Sequence, residues 1–176
     1  MAVVEAIATT YLEDDAASIT FSSIPQTYEN LQLRCSIHYT SLNAYNEVFI
    51  QLGTGGTVDT GTNYAVQGMR GENTYTWERQ TEGDNEIYVQ YGAASTSGGA
   101  NYSLMVTDLF NYASTTKTKP TLSTLSFHGP SAGYFYSTMY GGAWDNTGAV
   151  SDIKISADSG NVGRGTVVTL YGWNNS

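Results

Sequence analysis

The sequence of 176 residues is acidic and poor in charge, with 13% charged residues and a formal net charge of −9 at pH 7. Only seven Lys and Arg residues are present. This number argues against a surface that follows nucleic-acid phosphates, and the negative charge disfavours anionic membranes. The 14 Tyr and 19 Gly residues, without a long run of helix formers, are typical of an all-β chain with many turns.

The length favours a single domain, residues 1–176, because no linker and no fixed-period repeat divides the chain. The amino-terminal residues lack a basic region, and Glu5 interrupts their apolar part, so we predict no secretory signal and synthesis in a cytoplasm. No apolar run approaches the length of a membrane span. Cys35 is the single cysteine, which excludes an internal disulfide and a cysteine-based metal site.

The first strands are predicted near the amino terminus. Residues 3–11 are small and suit the edge of a sheet, and Ile19 and Phe21 begin a second strand. From 31 to 40 apolar and polar residues alternate, which predicts a strand with one buried face. The residues on its apolar face are Leu31, Leu33, Cys35, Ile37 and Tyr39. Ile24-Pro25 predicts an extended bend between the two strands. We expect these two strands to be neighbours in one sheet. We also expect a second layer to cover the apolar face that they share.

Further strand candidates follow at intervals of mostly about 10 to 15 residues, a spacing typical of sandwiches and barrels. They are 46–52, 64–69, 75–79, 86–91, 102–112, 122–127, 134–139, 150–155 and 166–173. The 102–112 segment is apolar on both parities except at Asp108, which predicts a central strand packed on both faces. Together these elements predict an antiparallel β-sandwich.

Three patterns resemble sites of chemistry, and each has a simpler interpretation. Residues 129–133 match the Gly-x-Ser-x-Gly pattern of hydrolases around Ser131, but strand formers follow where that motif needs a helix, so we predict a turn. Residues 82–86 carry alternating carboxylates, as calcium loops do, without the distal glutamate of an EF-hand, so we predict a solvated hairpin tip. His38 and His128 are isolated in the sequence. We therefore predict no catalytic, cofactor-binding or metal-binding residues and no enzymatic activity.

The densest group of aromatic residues lies between 134 and 144. It comprises Tyr134, Phe135, Tyr136, Tyr140 and Trp144. Such rings can stack on sugars or fill a protein–protein contact, because Tyr and Trp are enriched at interfaces. Alternation along a strand also buries one face, so part of this group can be core. Both interpretations remain open from the sequence.

Four segments in a fixed order resemble a family of small β-sandwich virion proteins of tailed bacteriophages. These segments are 18–34, 108–119, 144–156 and 163–172. The family includes capsid decoration (cement) proteins and modules of tail fibres. The resemblance spans about Val3 to Trp173, while 57–85 and 128–143 have no counterpart in it.

The resemblance implies a jelly-roll-like fold and a non-enzymatic structural role in the virion after synthesis in the host cytoplasm. Capsid decoration, with the major capsid protein as partner, is the favoured role because the chain is one short domain without a stalk. A symmetric shell offers clustered sites, so we expect a homotrimer with apolar and aromatic contacts. The alternative is a tail-fibre or receptor- and glycan-binding module that uses the 134–144 aromatic residues.

Overall fold

The computed structural model describes residues 4–43, 45–72, 75–94, 101–129 and 135–175. Across these ranges the chain forms thirteen strands and no helix, so no described helix is long and apolar enough to cross a membrane. The strands are β1 (Val4–Tyr11), β2 (Ser18–Phe21), β3 (Asn30–Ile37), β4 (Tyr45–Thr54), β5 (Thr57–Val58), β6 (Tyr64–Glu72), β7 (Tyr75–Asp84), β8 (Ile87–Ala93), β9 (Ser103–Leu109), β10 (Lys119–His128), β11 (Phe135–Trp144), β12 (Asp152–Ala157) and β13 (Val167–Trp173).

Two antiparallel sheets pack face to face, which confirms the predicted β-sandwich. The large sheet has the strand order β1-β13-β3-β9-β10-β11-β6-β7, and the small sheet has the order β2-β12-β4, with β5 and β8 both pairing with β4. The chain alternates between the sheets at both of its ends. As a result, β12 lies between β2 and β4 in the small sheet, and β13 lies between β1 and β3 in the large one. This crossing pattern is jelly-roll-like.

The alternation of β3 sets one wall of the core, as predicted. The five residues predicted on the apolar face, from Leu31 to Tyr39, are all buried, while Arg34 and Ser36 on the opposite face are exposed. The strand ends at Ile37, and Tyr39 forms isolated bridges beyond it. Burial raises the pKa of the Cys35 thiol to about 12, so this cysteine is an inert core residue.

The expectation that the strand beginning at Ile19 and the strand at 31–40 are neighbours in one sheet is wrong. β2 pairs with β12 in the small sheet, whereas β3 pairs with β13 and β9 in the large sheet. The Ile24-Pro25 bend therefore carries the chain across the core, and Ile24 N donates to Ser151 O at 3.0 Å on the way. Both strands do contribute apolar side chains to the same core, but from opposite walls. The alternation of apolar and polar residues indicates which face of a strand is buried, but it does not indicate which sheet the strand joins.

Two further segments differ from their predictions for a related reason. The strand predicted at 102–112 is β9, which is buried on one face only, since Leu104 on its other face is 62% exposed. Residues 82–86 do not form a hairpin tip, because β7 pairs with β6 in the large sheet and β8 pairs with β4 in the small one. This acidic segment is a corner between the two sheets.

Candidate binding site

The aromatic residues predicted as a platform lie on β11, where they alternate between its two faces. Tyr136, Tyr140 and Trp144 are fully buried, so the core interpretation is correct for them and a surface platform of these rings is wrong. Phe135 has the opposite parity and is 52% exposed on the outer side of the large sheet. Tyr134 and Ser131 lie outside the described residues. Strand alternation thus separates rings that are adjacent in sequence.

Trp144 belongs to a closed corner of the core. Its ring stacks on Tyr64 with centroids 6.4 Å apart, and its indole Nε1 donates to Asp59 Oδ2 at 2.8 Å. The Tyr64 hydroxyl donates to the backbone oxygen of Leu52 or Asp59, at 3.0 and 2.9 Å. Burial alone would raise the pKa of Asp59, but the hydrogen bonds from Trp144, Gly61 and Asn63 outweigh it and hold the pKa below its usual value. We name these residues, Asp59, Tyr64 and Trp144, the Trp144 corner.

A second aromatic group lies at the other end of the same two strands, where the sandwich opens between the edge strands β7 and β8. Its centre is Arg70 of β6, whose guanidinium carbon lies 4.7 Å from the Tyr91 ring centroid, 5.2 Å from Trp77 and 5.8 Å from Tyr136. Arg70 Nη2 pairs with Glu72 Oε2 at 3.1 Å, and the Tyr136 hydroxyl donates to Glu72 Oε1 at 2.9 Å. We name these five residues the Arg70 cluster.

Arg70 remains a cation although it is largely buried. Burial alone would lower its pKa, but hydrogen bonding to Tyr91 and the negative charge of Glu72 raise the pKa above its usual value. Burial also raises the pKa of Tyr136, and its hydrogen bond to Glu72 adds to this shift. Arg70 Nε is buried and has no hydrogen-bond partner among the described residues. The cluster therefore holds one carboxylate, one guanidinium and one unused donor.

A strained backbone position supports the Arg70 cluster from β8. Gln90 has a φ of 113°, which is rare for any residue other than glycine, and the β4–β8 ladder shifts register beside it. Its buried amide forms a network: Oε1 accepts from the Tyr88 hydroxyl and, at 3.5 Å, from Arg70 Nη1, while Nε2 donates to the Tyr140 hydroxyl at 2.6 Å. Strain of this kind costs roughly 1–3 kcal/mol and clusters at functional sites.

The sequence did not reveal this cluster because its members come from four strands, β6, β7, β8 and β11, that only the tertiary structure brings together. One local signal was present. Tyr75, Trp77 and Arg79 occupy alternate positions of β7, so they lie on one face of this edge strand. Such a row of aromatic and cationic side chains is unusual on an edge strand. Among the described residues, no three His, Cys, Asp or Glu side chains lie close enough together to hold a metal ion.

The outward side of the large sheet forms a different surface, on which exposed apolar side chains lie among Thr and Ser residues. Five of its side chains lie on neighbouring strands, and we name them the outer apolar face: Met69, Leu104, Val106, Leu122 and Met139. An open depression of about 610 Å³ is lined by four of them, all except Leu122. Within β6, β9, β10 and β11, Asp108 is the one outward residue with a formal charge, and it accepts from Gln32 Nε2 at 2.7 Å.

Comparison with known proteins identifies no family. The sequence matches no protein-family model, and no curated protein is significantly similar to it. Among solved structures, the CBM2 module of the evolved Dit of Lactobacillus casei BL23 phage J-1 aligns with 90% of this chain and 69% of its own chain, at 9% sequence identity and a TM-score of 0.26. That similarity is too low to carry a conclusion about this chain.

Proposed function

We propose that this chain is a non-enzymatic structural protein of a bacteriophage virion, and that it decorates the capsid by binding the major capsid protein. The sequence resemblance to small β-sandwich virion proteins supports this role. The antiparallel sandwich agrees with it. The single observation that carries the proposal is the outer apolar face.

The outer apolar face has the properties of a contact surface. Exposed apolar side chains that adjoin one another on a soluble protein mark interaction sites, and methionines adapt their shape to a partner. The chain carries a net charge of −9, yet the middle of this face holds one carboxylate, which is hydrogen-bonded. Binding here removes apolar area from water without burying unpaired charge, which favours a stable contact.

A homotrimer suits this proposal. One copy of 19.0 kDa offers a modest contact to any single shell subunit, whereas linked copies raise the effective affinity by about 10²–10⁴. Closed cyclic assemblies are the common form, and the three-fold positions of an icosahedral shell match a trimer. Because the chains are acidic, they repel one another unless their contact is nearly neutral.

The test compares two leucines on phage particles that lack this chain. Leu104→Glu places a charge on the outer apolar face, and Leu42→Glu is the matched control in a loop where Leu42 is 87% exposed. We expect Leu104→Glu to weaken co-sedimentation with the particles at least about tenfold, with Leu42→Glu unchanged. Equal binding of both variants would contradict the role of this face. An electron microscopy map that places the wild-type chain only on the tail would contradict capsid decoration.

A tail-fibre or receptor-binding module is the second candidate function. The Arg70 cluster favours it, because Trp77 and its neighbour Tyr75 are exposed aromatic side chains at an open edge of the sandwich. The same electron microscopy map distinguishes the candidates, since a receptor module lies at the distal end of a tail structure and a decoration protein lies on the shell.

A further inference from the structure

Two aromatic side chains stand exposed beside the Arg70 cluster. Tyr75 is 67% exposed and Trp77 is 54% exposed, and both have the parity of β7 that faces the small sheet. In the β6–β7 ladder Trp77 lies opposite Arg70, and Tyr75 lies opposite Glu72. The rings and the ion pair therefore form two adjacent rows on one surface. Large rings left in water on an edge strand are a liability for aggregation, so their presence here calls for a functional reason.

We infer that the Arg70 cluster, together with Tyr75, is a binding site for a neutral saccharide. A pyranose ring has an apolar face of C–H groups and a rim of hydroxyls that both donate and accept hydrogen bonds. Tyr75 and Trp77 provide aromatic surface for the apolar face. Glu72, whose side chain is 23% exposed, provides a carboxylate that accepts hydrogen bonds, and Arg70, which is 13% exposed, holds that carboxylate in place through Nη2.

The charge balance selects a neutral ligand. Arg70 and Glu72 form a pair with no net charge at a separation of 3.1 Å. The chain as a whole carries −9, so an acidic saccharide or a nucleotide is repelled at long range. The next cation on this face of β7, Arg79, lies 4.1 Å from the Tyr88 ring centroid and interacts with the Glu47 carboxylate, so its charge is also balanced. A neutral sugar meets neither penalty, and its hydroxyls can satisfy the remaining acceptor positions of the Glu72 carboxylate.

The site is built before any ligand arrives. Tyr91, Tyr136 and Trp77 surround the Arg70 guanidinium, and the buried Gln90 amide fixes it from below at the strained bulge. Side chains that are already ordered lose little freedom when a ligand binds, so weak contacts produce more affinity. Backbone strain clusters at binding sites, and a bulge also protects the edge of a sheet, so the strain at Gln90 supports the site only together with the exposed rings beside it.

This inference deepens the second candidate function and rests on it, because a receptor module needs a ligand site. Its test is independent of the particle tests. Saccharide binding is measured on the purified full chain, whereas location is read from virions. A chain found on the tail without saccharide binding would refute this site and retain the second candidate function.

The experiment is saturation-transfer NMR on the full chain with D-glucose, D-galactose, N-acetyl-D-glucosamine and L-rhamnose at millimolar concentration. D-galacturonic acid serves as the acidic comparison. The key variant is Trp77→Ala. Its matched control is Phe135→Ala, which removes a ring of similar exposure from the opposite side of the large sheet. Circular dichroism and thermal unfolding check that each variant is folded.

We expect saturation transfer to at least one neutral sugar, a loss of affinity of about tenfold or more in Trp77→Ala, and no change in Phe135→Ala. Glu72→Gln leaves Arg70 without its carboxylate partner, so we expect this variant to gain binding of D-galacturonic acid relative to the neutral sugar. The inference is overturned if none of the four neutral sugars receives saturation, if Trp77→Ala binds as the wild type does, or if the wild type prefers the acidic sugar.

Discussion

The strands β6 and β11 carry an aromatic group at each end, and the two groups have opposite characters. At one end, the Trp144 corner is closed: Trp144 is fully buried and its indole N–H is bonded to Asp59. At the other end, the Arg70 cluster is open, because more than half of Trp77 is exposed. Aromatic content alone therefore does not distinguish core from binding surface, whereas the exposure of the rings does.

The difference follows from what covers each end of the strand pair. Tyr64, at the start of β6, bonds to the Leu52 backbone of β4, so the small sheet closes over the Trp144 corner. Arg70 lies near the end of β6 beside the edge strand β7, and β8 is the facing edge of the small sheet. There the two layers end together, and side chains that point inward still reach water.

The largest expected effect comes from opening the closed end. Trp144→Ala should lower the free energy of unfolding by about 3–5 kcal/mol, because it leaves a cavity and removes one of the hydrogen-bond donors to Asp59. Urea denaturation measures the change. Trp173→Ala is the control, since Trp173 is only partly buried and makes one edge contact with Phe110. An equal or smaller loss in Trp144→Ala would contradict the closed character of this corner.

A smaller effect, with a defined pH dependence, is expected at Asp59. Asp59→Asn should lower the free energy of unfolding by about 1–3 kcal/mol at pH 7, because the amide cannot accept all three hydrogen bonds that the carboxylate accepts. The folded pKa of Asp59 lies below its unfolded value, so its stabilisation is complete above that unfolded value of about 3.9 and is lost as the pH falls through the folded pKa.

Thermal unfolding of the wild type and Asp59→Asn between pH 7 and pH 2 measures this dependence. The two curves should converge as the acid range is reached. Asp14→Asn, in an exposed turn, is the control and should follow the wild type throughout. A constant difference between the wild type and Asp59→Asn down to pH 2 would show that the carboxylate charge has no part in the effect.

At the open end, a tryptophan should contribute little to the free energy of unfolding. Trp77→Ala should lower the free energy of unfolding by at most about 1 kcal/mol, because an exposed cation–π contact such as that with Arg70 stabilises by about 0.5–1 kcal/mol. Urea denaturation beside Trp144→Ala gives the contrast directly. A loss approaching that of Trp144→Ala would mean that the Arg70 cluster is a second core.

The smallest effect is expected outside both groups. Phe135→Ala should change the free energy of unfolding by no more than about 0.5 kcal/mol, because Phe135 is exposed on the outward side of β11. The same denaturation series measures it. A loss of more than about 1 kcal/mol would indicate that Phe135 packs against a neighbour, for instance in a self-associated form, and sedimentation across a dilution series would test that explanation.

Much of the local structure could be predicted. The period of two around Leu33 and Cys35 identified β3 and its buried face, because side-chain direction in a strand is fixed by covalent geometry. Most other strands were found within a few residues of their bounds. The Arg70 cluster could not be found this way, because Arg70, Tyr91 and Tyr136 come together only through strand pairings and sheet packing between distant segments.

An acidic, all-β sandwich with Cys35 in its core follows from composition and local alternation, which can be read along the chain. Which sheet each strand joins, and so whether the chain crosses the core at Pro25 or turns back, depends on the pairing of distant strands. The packing of the two sheets also leaves Trp144 closed in and Trp77 open to water. Burial depends on what another layer covers, and that depends on contacts between residues far apart in the chain.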